Sequence, residues 1–282
     1  MRKLNKPQYV AGDVFLLCAS GETDLGLKTR LTAAKPLIDA AAMAYDIAAT
    51  NSALHTIPES IGVAGTVTKD EMSHLYTERM ARRRAPGRAV YDKLMLLPAH
   101  GVCPLCGTNK ATTLDHHLPK AKFSPLAVTP SNLIPSCRDC NLTKRAARPA
   151  KAGDQTFHPY FDDFGTDRWL SAQVVQDNPP AVRFYVDPPA SWTQIQADRA
   201  QSHFAAFELW KNYSTHAAQE MVNMRHRLMG LYLQAKGQGV SAHLTEEAIS
   251  REMADRNSWQ TALYRALSQN SWFCTDGFAL IK

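Results

Sequence analysis

The spacing of apolar side chains predicts a chain that is mainly α-helical. Before residue 100, helical periodicity is clear over residues 27–49, 68–80 and 88–97. The second of these segments opens with Thr68-Lys-Asp-Glu, the sequence of a capping box in which Thr68 is the N-cap. Pro36 lies early in the first segment, where it would bend or restart that helix.

The pattern changes in the second half of the chain. Residues 172–176 and 182–186 flank Asn178-Pro-Pro and predict a two-stranded ribbon. Helical spacing then returns, and the predicted helices are 192–236 with a break near Asn212, 246–255, and 258–269 with Asn257 as N-cap. Aromatic and Met residues between 204 and 232 recur at helical spacing, which is typical of a side that packs into a core.

Between these helical regions lies a stretch without long periodic runs. Residues 98–149 are rich in Cys, Pro, Asn and His, as in small modules where a bound ion replaces a hydrophobic core. We therefore expect three regions: helical residues 1–98, a metal-centred module at 99–150, and a β-ribbon with C-terminal helices at 151–282.

The composition is that of a soluble globular protein, with 45% apolar and 21% charged residues. The Ala-rich segment 33–49 is interrupted by charges, so it predicts a buried helix and no membrane span. The N-terminus faintly resembles a signal peptide, but its apolar run is short and contains Asp13. We expect a cytoplasmic protein.

Positive charge is concentrated in one segment. Residues 79–151 contain fourteen Lys and Arg against three acidic residues, whereas the rest of the chain carries a net charge of −5. Such confinement is typical of a surface that binds a polyphosphate.

Four of the six cysteines form two Cys-x-x-Cys pairs, Cys103/Cys106 and Cys137/Cys140. Incidental or redox-active pairs are the alternatives, but two matched pairs without a surrounding βαβ pattern favour a structural zinc ion. Because a closed four-thiolate site has no open position for substrate, any chemistry must occur nearby. Cys18 and Cys274 are expected to be buried thiols.

Polar residues between and after the pairs provide candidates for that chemistry. Asp115 offers a hard oxygen ligand for a divalent cation, and His116 offers an imidazole that titrates near neutral pH. Adjacent strand residues point to opposite faces, so these two can share one site only with a twist or bulge. Asn132 could fix an imidazole by hydrogen bonding, and Asn141 follows the second Cys pair. Singly, each has an ordinary explanation as a turn or cap residue.

In this order, the residues resemble a known family. Residues 103–148 resemble the zinc-knuckle branch of the HNH (ββα-metal) nucleases. The motifs that carry the resemblance are, in order, Cys-x-x-Cys, Leu-Asp-His-His-Leu-Pro-Lys, Asn-Leu-Ile-Pro-Ser-Cys and Cys-Asn-x-x-Lys. The resemblance implies a β-hairpin and a helix around one catalytic divalent cation, usually Mg²⁺, and cleavage that leaves 5′-phosphate and 3′-hydroxyl ends.

The resemblance also implies a role for each matching residue. His116 would be the general base, Asp115 and Asn141 would hold the catalytic cation, and Asn132 would orient His116. His117 falls where the family usually has an apolar or aromatic residue. The last letter of the family motif is Asn141 here and not His, a variant that occurs within the superfamily.

Basic residues around the motif are candidates for phosphate contacts. Those in the motif are Lys120, Lys122, Lys144 and Arg145, and those before it are Arg82, Arg83 and Arg84, for which a solvated helix face is the alternative. His158 could be a further ligand or substrate contact, although a packed loop histidine is the favoured reading.

The sequence therefore predicts a metal-dependent endonuclease, with DNA favoured as substrate and RNA left open. A non-catalytic zinc-bound nucleic-acid adaptor is one alternative, and it would not need Asp115, His116 and Asn141 together. The other is a nuclease subunit of a larger assembly, such as the HNH partners of ATPases in bacterial phage defence. This alternative rests on analogy, on the long C-terminal helical region and on the absence of a Walker motif.

Overall fold

The computed structural model describes residues 1–144 and 148–282 and has the mainly helical architecture that the sequence predicts. The helices are α1 (Ala11–Ser20), α2 (Leu25–Thr50), α3 (Lys69–Tyr76), α4 (Arg88–Met95), α5 (Arg138–Lys144), α6 (Gln194–Ala206), α7 (Leu209–Ala254), α8 (Trp259–Ser268) and α9 (Ser271–Thr275). The strands are β1 (Thr113–His116), β2 (Leu133–Ser136), β3 (Leu170–Val175) and β4 (Ala181–Val186), which form two antiparallel pairs, β1–β2 and β3–β4.

The chain divides into two compact units, unit 1 (Met1–Asp163) and unit 2 (Phe164–Lys282). In unit 1, Phe15 of α1, Ile38 of α2 and Met72 of α3 share one buried core with Leu114 of β1 and Leu133 of β2. This shared core explains why the N-terminal helices and the small β-hairpin form one compact body, although the sequence suggested a division near residue 98.

Local signals explain how the helices of unit 1 begin and continue. The capping box of α3 is present, because the Thr68 hydroxyl accepts from the Glu71 amide and the Glu71 carboxylate accepts from the Thr68 amide. Helix α2 begins at Leu25 with Asp24 as its cap and runs through Pro36 without being divided. After α3, a π-turn at Thr77–Ala81 leads to Arg82.

Unit 2 contains the predicted ribbon and the predicted C-terminal helices. The break expected near Asn212 lies earlier, at Glu208, whose φ of 47° separates α6 from α7. Helix α7 is itself interrupted by non-helical geometry at Ala235 and Lys236.

The predicted N-cap of α8 is corrected by one residue. Ser258 caps this helix by accepting from the Thr261 amide. Asn257 instead accepts from the backbone amides of Trp169 and Leu170, which fixes the start of β3. Among the helices of the described residues, none is both long and apolar enough to span a bilayer.

Candidate functional site

The site is built from a β-hairpin and the helix that follows it. β1 and β2 pair antiparallel, with Asp115 opposite Ile134 and His116 opposite Leu133. Helix α5 begins at Arg138, two residues after β2 ends, and contacts β1. Helix α4 packs against both strands from the N-terminal region. The order of two strands and a helix is the arrangement that the family resemblance implies.

The four cysteines of the two pairs meet at one point. The sulfur atoms of Cys103, Cys106, Cys137 and Cys140 all lie within 4.8 Å of one another, and all four residues are buried. The Cys106 and Cys137 sulfurs are 3.9 Å apart. Tetrahedral zinc with Zn–S bonds of about 2.3 Å requires sulfur separations of about 3.8 Å. The donor set and its spacing therefore fit a closed structural zinc site.

Neighbouring groups hold these sulfurs in place. The Thr108 hydroxyl donates to the Cys106 sulfur, and a hydrogen bond from the neighbouring Cys103 thiol is the largest of the effects that lower the pKa of Cys106. The Asn109 amide group contacts both the Cys137 sulfur (3.9 Å) and the Asp139 carboxylate (2.9 Å). Asn109 thus connects the first pair to the start of α5, and such outer-shell contacts orient metal ligands.

His116 is held in one orientation by a backbone carbonyl. Its Nε2 lies 2.8 Å from the carbonyl oxygen of Ala127. Because a carbonyl can only accept, Nε2 carries the hydrogen and Nδ1 keeps a lone pair. The edge-to-face ring of Tyr76, at 4.4 Å between centroids, packs against the imidazole. Burial lowers the pKa of His116 to about 3, so the imidazole is neutral at physiological pH.

Asp115 contacts a different element from His116, as strand alternation predicts. The Lys144 ammonium of α5 lies 2.7 Å from the Asp115 carboxylate and donates to the His116 carbonyl oxygen at 2.6 Å. Asp115 and Lys144 are both buried. Burial raises the pKa of Asp115, and the charge of Lys144 opposes that rise. Asn141, which is partly exposed, lies three residues before Lys144 on the same helix and so on the same side of it.

The placement of Lys144 corrects its expected role as an exposed phosphate contact. Its side chain is 7% exposed and its ammonium is bonded within the site. The reason is electrostatic, since the buried Asp115 carboxylate needs a counter-charge that α5 supplies.

Asn132, predicted to orient His116, bonds to the loop between the strands, and none of the side-chain hydrogen bonds found for it among the described residues goes to His116. Its carboxamide is fully buried, accepts from the Leu118 amide, and donates to the carbonyl oxygens of Leu118 and Leu126. These bonds close the loop that presents the Ala127 carbonyl to His116.

His158 is a packed histidine, which is the interpretation that the sequence favours. Its Nδ1 accepts from the Tyr160 amide, so its Nε2 carries the hydrogen and faces the Tyr45 hydroxyl at 2.8 Å. Its ring lies 4.2 Å from that of His117. Both ring nitrogens of His158 therefore have protein partners.

The remaining basic candidates differ in their partners. Lys120 is partly buried and its ammonium lies over the ring of Tyr76, whereas Lys122 pairs with Glu59. Arg82 pairs with Glu78, whereas its neighbours Arg83 and Arg84 are exposed and enter none of the ion pairs found among the described residues. Arg145 lies outside the described residues.

Two parts of this site were not identified from the sequence. The Ala127 carbonyl could not be identified, because every residue has a backbone carbonyl and the sequence does not show which one faces His116. The helical spacing of Met72, Leu75 and Tyr76 places Tyr76 on the inward side of α3. Nothing in that spacing indicates that its ring contacts His116.

Comparison with known proteins agrees with this architecture. Residues 103–146 match the family model described as HNH endonuclease. Over 293 aligned positions the chain is 27% identical to "Protein ea31" of Escherichia phage lambda, covering 97% of this chain and 99% of that protein. No solved structure matches.

Proposed function

We propose that this chain, whose residues 103–146 form an HNH endonuclease domain, hydrolyses phosphodiester bonds in nucleic acid with the help of a divalent cation. DNA is the substrate we favour, and RNA is the alternative to be tested. His116 would act as general base, with Asp115 and Asn141 as ligands of the catalytic cation.

The observation that carries this proposal is the state of His116. A general base needs a neutral imidazole with one nitrogen free of hydrogen and a fixed ring. The Ala127 carbonyl fixes both the hydrogen on Nε2 and the orientation of the ring. The remaining lone pair, on Nδ1, would accept the proton of the attacking water and pass it to solvent after cleavage.

The ligands proposed for the catalytic cation have suitable chemistry. Asp115 provides a carboxylate oxygen and Asn141 a carboxamide oxygen, which are the hard donors that Mg²⁺ prefers. When bound, such an ion stabilises the phosphorane and the leaving 3′ oxygen. Lys144 bonds to one oxygen of Asp115, so we assign the other oxygen to the ion.

Nucleic acid would reach the site along the basic segment. Lys120 and Lys122 belong to the loop after β1, and Arg83 and Arg84 follow the helix that carries Tyr76. Lysine and arginine side chains contact phosphates without reading sequence.

The test compares two adjacent histidines in the zinc-loaded protein. Wild type, His116→Ala and the matched control His117→Phe are incubated with plasmid, single-stranded DNA and RNA, with and without Mg²⁺. We expect Mg²⁺-dependent cleavage by wild type and His117→Phe, and a loss of about a thousandfold or more in His116→Ala. Equal cleavage by wild type and His116→Ala, with zinc retained, would refute the assignment.

Binding without cleavage under all conditions would favour the adaptor alternative. We also propose a regulatory protein partner, an ATPase of a phage-defence assembly, on the basis of the family resemblance. Cleavage that appears only after a co-purifying ATPase is added would support that partner, and full activity of the isolated chain would argue against it.

A further inference from the structure

We propose that Tyr76 is a positioning residue that holds the Lys120 ammonium beside His116, where Lys120 neutralises the charge of the scissile phosphate. The inference rests on the proposed nuclease function and assigns two residues to it. Tyr76 lies outside the matched family region, residues 103–146, so this contact belongs to the helical frame of unit 1.

Tyr76 connects three parts of the site. Its hydroxyl donates to the Leu114 carbonyl of β1 at 3.3 Å, which fixes the ring relative to the strand. Its ring forms a T-shaped pair with the His116 imidazole, with 4.4 Å between the ring centroids and an interplanar angle of 69°. The Lys120 ammonium lies 4.6 Å from the centre of the same ring. One aromatic ring therefore contacts both the proposed base and a cation.

Among the described residues, Lys120 differs from the two other lysines of the motif because no carboxylate pairs with it. Lys122 pairs with Glu59 and Lys144 with Asp115, whereas Lys120 enters none of the ion pairs found among the described residues. A partly buried cation is costly without a counter-charge, and a ring face compensates only in part. The desolvation is large enough that burial lowers the pKa of Lys120. An anionic group entering beside His116 would complete the pairing, and the scissile phosphate is such a group.

The position of Tyr76 is fixed by the helix that carries it. The capping box fixes the start of α3, and Arg30 of α2 forms a bidentate pair with Glu71. Tyr76 is the last residue of α3, so the capped helix places its ring against β1. No covalent step is required of Lys120, because its ammonium would act by charge alone.

A double-mutant cycle tests the coupling of the two residues. Cleavage rates are measured for wild type, Tyr76→Leu, Lys120→Met and the double variant with plasmid and Mg²⁺. We expect kcat to fall about a hundredfold in Lys120→Met and about tenfold in Tyr76→Leu, with little change in KM. The double variant should resemble Lys120→Met alone, because Tyr76 acts through Lys120. Additive losses would overturn the proposal.

Two further variants separate positioning from packing. Tyr76→Phe keeps the ring and should retain activity within about threefold. Pentafluorophenylalanine at position 76 keeps the shape of the ring but removes the negative potential of its face, and should lower kcat about as much as Tyr76→Leu. Equal activity of these two variants would overturn the proposal, even if Tyr76→Leu fails to fold.

The control is Tyr91→Leu on α4, where Arg88 covers the tyrosine ring at 4.5 Å without a ring contact to His116 among the described pairs. It should leave kcat unchanged, and an equal loss in Tyr91→Leu would point to general packing and overturn the specific role of Tyr76. If wild type cleaves nothing, the proposed function fails first. If wild type cleaves and the Tyr76 variants behave like wild type, only this inference fails.

Discussion

Lys144 places a positive charge in the interior of unit 1 next to the proposed catalytic residues. Its ammonium contacts the Asp115 carboxylate and the His116 carbonyl, and the ion pair has little exposure to solvent. Buried ion pairs add little net stability, but removing one partner leaves a buried charge without compensation. Lys144 is thus required by Asp115 in the folded protein, whatever its contribution to the reaction.

Replacement of this lysine should destabilise unit 1. We expect Lys144→Met to lower the free energy of unfolding by about 3 kcal/mol, because Asp115 would remain buried and unpaired. Asp115→Asn combined with Lys144→Met should recover much of that loss, because no unpaired charge remains. Urea denaturation followed by circular dichroism, with zinc bound and Mg²⁺ absent, measures both.

An exposed ion pair provides the comparison for Lys144. Lys211 pairs with Glu208 at 2.8 Å, with 62% of the lysine side chain exposed. Lys211→Met should change the free energy of unfolding by less than about 0.5 kcal/mol. A Lys144→Met variant as stable as wild type would contradict the importance assigned to the buried pair.

At this scale the sequence predicts which residues form the motif but not their partners. Asp115, His116 and Asn141 could be named because side-chain chemistry and order identify them. The burial of Lys144 beside Asp115 and the bonds of Asn132 to the loop between the strands depend on tertiary contacts, which a linear motif does not specify. For the same reason a lysine in a basic segment was assigned to phosphate.

Helix α5 begins within the cysteine cluster, so a zinc ion held there would fix the position of the helix. Arg138 begins the helix between Cys137 and Cys140, and Asn141 and Lys144 follow within two turns. A helix of this length is unstable alone, so the four thiolates and their ion would fix its start. The same ion would thereby position the two side chains that α5 contributes to the site.

Removal of zinc should therefore abolish cleavage indirectly. We expect one zinc per chain in the purified protein, and loss of both zinc and nuclease activity in Cys106→Ser. Added Mg²⁺ should not restore cleavage, since the two ions have different ligands. Metal analysis and plasmid nicking report the two effects separately.

Cys18→Ala is the matched control, because Cys18 is buried apart from the cluster and burial raises its pKa to about 12. This variant should keep one zinc per chain. Zinc retained in Cys106→Ser at the wild-type level would show that the cluster is not the zinc site.

The sequence predicts the bounds of a helix or strand where short residue patterns determine them. The capping box of α3 and the ribbon β3–β4 follow from short patterns of residues, and both are present. The passage of α2 through Pro36 and the break at Glu208 do not follow from local propensity, which is only a weak guide to helix bounds.

For the whole molecule, the sequence predicted the helical class and a module in the middle of the chain, whereas the two compact units are seen only in the structure. Composition separated the module from its flanks because Cys, Pro and Asn replace periodic apolar residues there. In the structure the module and helices α1–α4 belong to one unit, because Leu114 and Leu133 lie in the same buried core as residues of these helices. Contacts between distant segments determine that core, and periodicity within a segment does not report them.

Charge is distributed unevenly over the chain, and from this distribution we predict how salt affects the binding of DNA. Segment 79–151 carries the excess of positive charge, and Arg83 and Arg84 are exposed within it. If both contact phosphates, replacing them with Gln removes two counterion-releasing contacts. The slope of log K against log salt for duplex DNA should then fall by about two, without a change in sequence preference.

The measurement uses the His116→Ala background, so that binding is observed without cleavage, and fluorescence anisotropy at several NaCl concentrations. Lys211→Gln with Lys282→Gln removes the same net charge from exposed positions outside the basic segment and should leave the slope unchanged. Equal slopes for the arginine variant and wild type would mean that these arginines are solvated and do not contact phosphates. Equal decreases in both double variants would mean that net charge, and not the basic segment, controls binding.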